Sequence, residues 1–362
     1  MRRFSFGAGG AIVIYLLLLP VVSEVDDAEL FTYTLMFTSV GIAISWNLTG
    51  GFTGYVDFGH AVWFGIGAYG TAVMMSAQSE WFPQEWPLIP SLLVGSLLSG
   101  LTANLIGRLT MRLSGAYFSI AMLGFFVFMR EVVRVAGPVT NRGVGLTIEP
   151  QIDRPLWYYI ELSFVLTLIV LSWWLRRTLF GATLIAIRED EVGAEMRGIN
   201  TTRNKVTVFT CSGFITGLLG GMWAYQNTFV EPDIAFWELR TVEAIMGTML
   251  GGIGTVMGPI LGSSFLFWLR ELLWSTPALL DTHLLVQGFL LALVVLYLPK
   301  GLVGLLRGEA EYFDRFRPQT TIFDDELASN AESAQRDHDV LSSSDGTEDS
   351  VGGRSPEVST RG

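Results

Sequence analysis

Asp57 and His60 lie in the run NLTGGFTGYVDFGH, residues 47–60, which separates two long apolar stretches and holds four glycines. An ionisable side chain at membrane depth is costly, and by default it is a candidate for a transport pathway. Irregular backbone at that depth is tolerated where protein or a water-filled cavity covers it. The run therefore reads as a broken helix beside a pathway, with Asn47, Asp57 and His60 as candidate lining residues. A plainer reading is equally open: Asp57 caps the next helix, accepting the orphan N–H groups of its first turn. Asn141, in the loop TNRGVG at 140–145, suits either a substrate entrance or an ordinary turn. Glu243 has no neighbouring base in sequence, so it must find a partner or face water.

None of these groups forms a catalytic constellation, because no nucleophile and base stand at a recognisable spacing. Nucleotide hydrolysis by a P-loop is excluded as well. The motif needs Gly-Lys-Ser/Thr, and the two lysines, Lys205 and Lys300, precede Val206 and Gly301. Gly65, Gly67 and Gly70 fit GxGxxG but sit inside an apolar run with no strand before them, so close helix packing explains them better. Cys211 is the single cysteine, and His60, His283 and His338 are scattered, which leaves no zinc constellation and no metal site. The sequence is that of a non-enzyme with no cofactor of its own.

The elements that position these residues are apolar. Hydrophobic residues make up 50% and charged residues 16%, against about 25% charge in a soluble domain. Stretches long enough to cross a bilayer, roughly 20 residues, fall near 8–22, 29–48, 61–77, 88–107, 115–135, 156–175, 207–228 and 282–299. The stretch 241–273 is broken by Gly251, Gly252 and Gly254 and reads as a hairpin of two short helices. The expectation is an all-α polytopic membrane bundle of about ten spans. A cleaved signal peptide competes for the first stretch, but cleavage would leave an odd number of crossings and strand the basic C-terminal end outside.

Charge orients the bundle. Arg2 and Arg3, then Lys300, Arg307, Arg315 and Arg317, put both termini on the cytoplasmic face. Segments 23–28, 78–87 and 230–240 fall outside, with Arg130 and Arg134 as exceptions near an outer end. Trp81, Trp86, Trp157, Tyr158 and Trp237 lie near span ends, where aromatic belts form. Glycine rows at 213, 217, 221 and at 254, 258, 262 suit close helix packing, within one subunit or between two.

Two regions lie outside the spans. Residues 176–205 form a polar island with six basic residues against four acidic ones, a cytoplasmic loop where a soluble partner could dock. Beyond it, the chain divides into a membrane domain, 1–308, and a tail, 309–362. Residues 318–362 hold ten acidic and three basic residues, so most of the net charge of −11 belongs to a tail expected to be disordered.

Several blocks together resemble a known family. Asn47-Leu-Thr-Gly, GYVDFGHAVWFGIGAYG (54–70), RLSGAYFSIAMLGF (112–125), FGATLIAIREDEVGAEMRGIN (180–200), MLGGIGTVMGPILG (249–262) and LPKGLVGLL (298–306) are similar to the M-type permease subunit of branched-chain amino-acid ABC importers. The resemblance implies a short coupling helix at Ile187 to Ile199 that fits a groove on an ATPase. Ile187, Arg188, Glu189, Asp190 and Glu191 lie on it, with Ala194 and Gly198 in its small positions. Gly193 stands where alanine is common, a difference worth roughly 1 kcal/mol in helix propensity. The implied partners are a homologous H-type permease, two ATPase subunits that hold ATP and Mg, an extracytoplasmic binding protein and the plasma-membrane bilayer; no nucleic acid is implied. The same subunit type serves urea and short-amide importers, and a secondary transporter or channel working alone is a further alternative.

Overall fold

The computed structural model describes residues 13–20, 25–76, 86–113, 115–137, 140–275, 285–286, 288–289 and 301–306. The expected last span at 282–299, the ends of the first, the termini, Trp81, His283, His338 and the acidic tail lie outside the described residues, wholly or nearly so.

Helix α1, Asp27–Trp46, opens on Asp26, whose carboxylate accepts the Glu29 N–H at 2.8 Å. At its end the chain widens into a π turn, Asn47–Gly51, then runs irregularly to His60. Gly50 is forced by packing there, since a Cβ would stand 2.4 Å from the Trp46 ring. Helix α2, Ala61–Met75, follows. The expected break thus falls within residues 47–60.

Helices α3, Leu88–Thr110, and α4, Ala116–Val135, come next. After α5, Arg154–Arg177, two short helices α6, Leu179–Glu189, and α7, Glu191–Met196, lead into the long α8, Thr201–Asn227. The all-α expectation misses one ladder: Leu146–Thr147 pairs antiparallel with Phe229–Val230. The short α9, Pro232–Ala235, precedes a hairpin of α10, Leu239–Gly251, and α11, Met257–Trp274; α12 is Gly301–Leu306. The hairpin bends where glycines were expected to break it, with Gly252 and Gly254 at φ 124° and 73°.

Among the described residues, five helices are long and apolar enough to cross a membrane: Asp27–Gly51, Leu88–Thr110, Ala116–Val135, Arg154–Arg177 and Thr201–Asn227. The shorter α2 and the two hairpin arms add to these, and the ends of the first and nearly all of the last of the roughly ten expected spans fall outside the described residues, so the count is not confirmed. Ile120, Phe128 and Val135 on α4 are exposed, as suits a surface facing lipid rather than water.

The centre of the bundle is built on small residues. A Cβ at Gly67 of α2 would stand 1.9 Å from the Gly217 carbonyl of α8, so the two backbones touch. Gly213, Gly217 and Gly221 meet Ala103, Ser99 and Thr71 in the same way. That row packs helices of this chain against one another, which decides between the two readings of the spacing.

Two other expectations change. Trp157 and Tyr158 are not belt residues: they are 4% and 0% exposed, Trp157 against Tyr225 at 4.4 Å between ring centres and Tyr158 donating to the Leu16 carbonyl. Arg130 and Arg134, the exceptions to the charge pattern, are neutralised by Glu238 and Asp233.

Candidate functional site

Three groups of polar residues occupy the bundle, and the first joins the polar island to the irregular segments. Asn47 is fully buried; its amide donates to the Thr255 carbonyl and its carbonyl oxygen accepts the Gly254 N–H, both at 2.9 Å. One side chain therefore stitches the π turn to the bend of the hairpin. Arg188, at the end of α6, closes the same point by donating to the Gly51 carbonyl at 2.8 Å. Gly254 has no room for a side chain, because a Cβ would stand 2.2 Å from the Arg188 guanidinium.

Beside it lies a second contact. The Tyr55 hydroxyl donates to Glu191 at 2.5 Å and accepts from the Lys205 ammonium at 2.9 Å, and Lys205 also pairs with Glu191 at 2.5 Å. Burial alone would raise the Glu191 carboxyl, but hydrogen bonds from Lys205 and Tyr55, with the Lys205 charge, outweigh it and hold the group below its ordinary value. Tyr55 is pushed up, by burial first and by Glu191 second, so its phenol keeps its proton. Lys205, read from sequence as part of a solvated island, is 2% exposed in the first turns of α8.

The island itself is not one coupling helix from Ile187 to Ile199. It breaks at Asp190, whose extended backbone ends α6 and whose carboxylate caps α7 by accepting the Gly193 N–H at 2.9 Å. A Cβ at Gly193 would stand 2.2 Å from that same carboxylate, so glycine here makes room for the cap. Ile187 and Ala194 are buried against the bundle, whereas Glu189 and Asp190 are exposed. Val192 and Met196 are 70% and 85% exposed, an apolar pair that charge counting passed over. Gly198 ends the segment at φ 82° with open space around it.

The second group surrounds Asp57, which is fully buried with His60. Its carboxylate accepts the Gly59 N–H at 2.8 Å, the Trp63 indole N–H at 3.2 Å and a contact from His60 Nδ1 at 3.1 Å. His60 Nε2 meets the Thr216 hydroxyl at 2.8 Å, and Thr216 meets Ser45 at 2.8 Å.

The third group is at the open end of the hairpin. Glu243 finds the base that its own neighbourhood lacks: Arg270 Nη1 donates to both carboxylate oxygens, at 2.7 and 2.8 Å. Both line a cavity of about 280 Å³ together with Arg240. Local spacing could not reveal this, since 27 residues separate the pair. Also missed was Glu161, 2% exposed on α5 beside Thr38 and Trp157, with neither oxygen in a formed hydrogen bond. Asn141 stands apart from all three groups: at φ 51° it folds its amide onto the Gly145 carbonyl and shapes the turn before the ladder.

Comparison with known proteins names the family. A family described as the branched-chain amino acid transport system, permease component, matches residues 30–295. The chain belongs to this permease family. The chain is 28% identical to the high-affinity branched-chain amino acid transport system permease protein LivM of Salmonella typhimurium, covering 82% of this chain and 74% of the relative. LivM of Escherichia coli is 26% identical with the same coverage. LivH, a permease protein of the same description from Salmonella typhimurium, is 23% identical over 75% of this chain and 92% of its own length. No solved structure matches. These relatives are permease proteins rather than enzymes, and the matched region of this permease spans all three polar groups.

Proposed function

We propose that this chain forms half of the translocation pathway of an ATP-driven importer of branched-chain amino acids. A homologous permease would supply the other half, two ATPase subunits with ATP and Mg the drive, and an extracytoplasmic protein the captured substrate. The chain binds no cofactor itself. Both termini, with the acidic tail 309–362, lie in the cytoplasm, and residues 176–205 meet the ATPase there.

One observation carries the coupling role. The α6–α7 segment turns apolar Val192 and Met196 and acidic Glu189 and Asp190 outward, while Arg188 ties the end of α6 to the π turn and the hairpin bend and Glu191 of α7 pairs with Lys205 of α8. A helix exposed on one face and fastened on the other passes a push inward. The ligand or partner that drives such a change must bind the two end states differently, and the ATPase dimer, open or closed, does so.

Co-purification from native membranes tests the assembly: two ATPases, a second permease and a binding protein should travel with this chain. Gly198→Trp should lower uptake and ATPase stimulation, because φ 82° strains any side chain there, with membrane insertion intact. Isolation of an active chain without any ATPase would overturn the reading.

A further inference from the structure

We infer that the cavity between α1, α8 and the open end of the α10–α11 hairpin is a binding site for an amino-acid zwitterion, with its carboxylate on Arg240, its ammonium on Glu243 and its side chain against Leu35, Ile42 and Leu266. The inference rests on the import reading for its substrate class and goes beyond it in giving this chain its own recognition site.

Unmet polar groups carry the argument. Arg240 Nε, Arg270 Nε and Ser263 Oγ have no hydrogen-bond partner among the described residues, and all three residues line this one cavity. Ser263 is only 5% exposed and Arg270 9%, so bulk water is a poor substitute partner. Buried polar groups left unpaired are costly, and a cluster of them facing one space calls for a ligand.

Charge then says what kind. Two arginines face one glutamate, and Glu243 already holds Arg270. Arg240 takes part in no ion pair among the described residues; it is stacked 3.9 Å over the Phe64 ring and donates only to the Ile234 carbonyl, at 3.2 Å. A guanidinium lying over an aromatic ring with its Nε–H unmatched keeps donor capacity of the kind a carboxylate accepts. Glu243 gives both oxygens to a single nitrogen of Arg270. A carboxylate has about four lone-pair positions, so acceptor capacity remains for an ammonium. The volume, about 280 Å³, lies just under the roughly 300–1,000 Å³ of sites for drug-sized ligands and suits one small amino acid.

Titration calorimetry on the complex of this chain with its partner permease and ATPases, without the binding protein, tests the site. The probes are L-leucine, 4-methylpentanoate, which lacks the amine, and 3-methylbutylamine, which lacks the carboxylate. L-Leucine should bind at least about tenfold more tightly than either analogue, the loss expected for one charged contact. Glu243→Gln should erase its margin over 4-methylpentanoate, and Arg240→Gln its margin over the amine. The comparison on the unaltered chain needs no variant, so a variant that fails to fold leaves the test standing. Equal binding of the three probes overturns the site, as does tighter binding of 4-methylpentanoate, or an unchanged preference in both folded variants. Uptake into proteoliposomes separates the two readings. Leucine bound by this cavity but never accumulated with ATP sinks the import reading alone, and leucine accumulated without selective binding sinks the site alone.

Discussion

The Arg188 guanidinium lies 2.8 Å from the Gly51 carbonyl across 137 residues of sequence. It ties the end of α6 to the π turn that follows α1, and Gly254 of the hairpin bend packs against the same guanidinium. Three segments remote in sequence meet at one side chain.

Arg188→Met should weaken the passage of motion from the island to the bundle without preventing assembly. A hydrogen bond of this kind contributes about 1 kcal/mol net, which corresponds to roughly fivefold. Uptake per ATP hydrolysed, measured in proteoliposomes, should fall by about that factor. An unchanged ratio would remove Arg188 from the coupling route.

Glu191 makes the second tie sensitive to pH. Its carboxyl is held below the ordinary 4.5 in the folded protein, so its contribution is present above that value and is lost as pH falls through the folded one. The difference in thermal stability between the native chain and Glu191→Gln should therefore be constant near neutrality, shrink once pH falls below 4.5 and vanish as it passes through the lowered folded value. A difference that persists at the lowest pH, or that appears only there, contradicts the assignment.

Val192 and Met196 should behave as docking residues. Being exposed, they add little to the fold, and Val192→Asp or Met196→Glu should change the stability by no more than about 0.5 kcal/mol. Affinity for the ATPase subunits should drop at least tenfold, about 1.4 kcal/mol. Pull-down from detergent extracts measures it, and full retention of the ATPases would argue that the partner grips elsewhere.

Asp57→Ala should chiefly damage the fold. It strips an acceptor from the Gly59 N–H and the Trp63 indole in a region closed to solvent, and each donor left unpaired costs roughly 1–3 kcal/mol. Yield and melting temperature should fall together, while the protein that survives keeps its substrate KM. A normal melting temperature with a raised KM would instead put Asp57 on the pathway.

The parts of this architecture that were legible in sequence are those set by local composition. Four glycines between Asn47 and His60 mark the irregular segment, Gly251, Gly252 and Gly254 mark the bend, and the charge-rich stretch 176–205 marks the island. Local spacing was less informative about partners. Asn47 with Gly254 and Tyr55 with Glu191 join positions more than a hundred residues apart, and no periodicity encodes such pairs. Asp190 was read as one position on a continuous helix; as a residue that hydrogen-bonds its own backbone, it ends one helix and starts another. Lys205 was counted with the island because charge normally seeks water, yet Glu191 and Tyr55 satisfy it inside.

The hairpin of α10 and α11 has the proportions of a crowbar. Its second arm has 18 residues, a rod of about 27 Å at 1.5 Å per residue. Its fulcrum is the glycine bend gripped by Asn47 and crowded by Arg188, and its tip carries Arg270. A tilt of about 5° at the fulcrum sweeps that tip through about 2 Å, and because Glu243 stands on the other arm of the same hairpin, the Glu243–Arg270 pair travels with it. A small stroke on the island side would thus be enlarged at the far end with no helix needing to unwind.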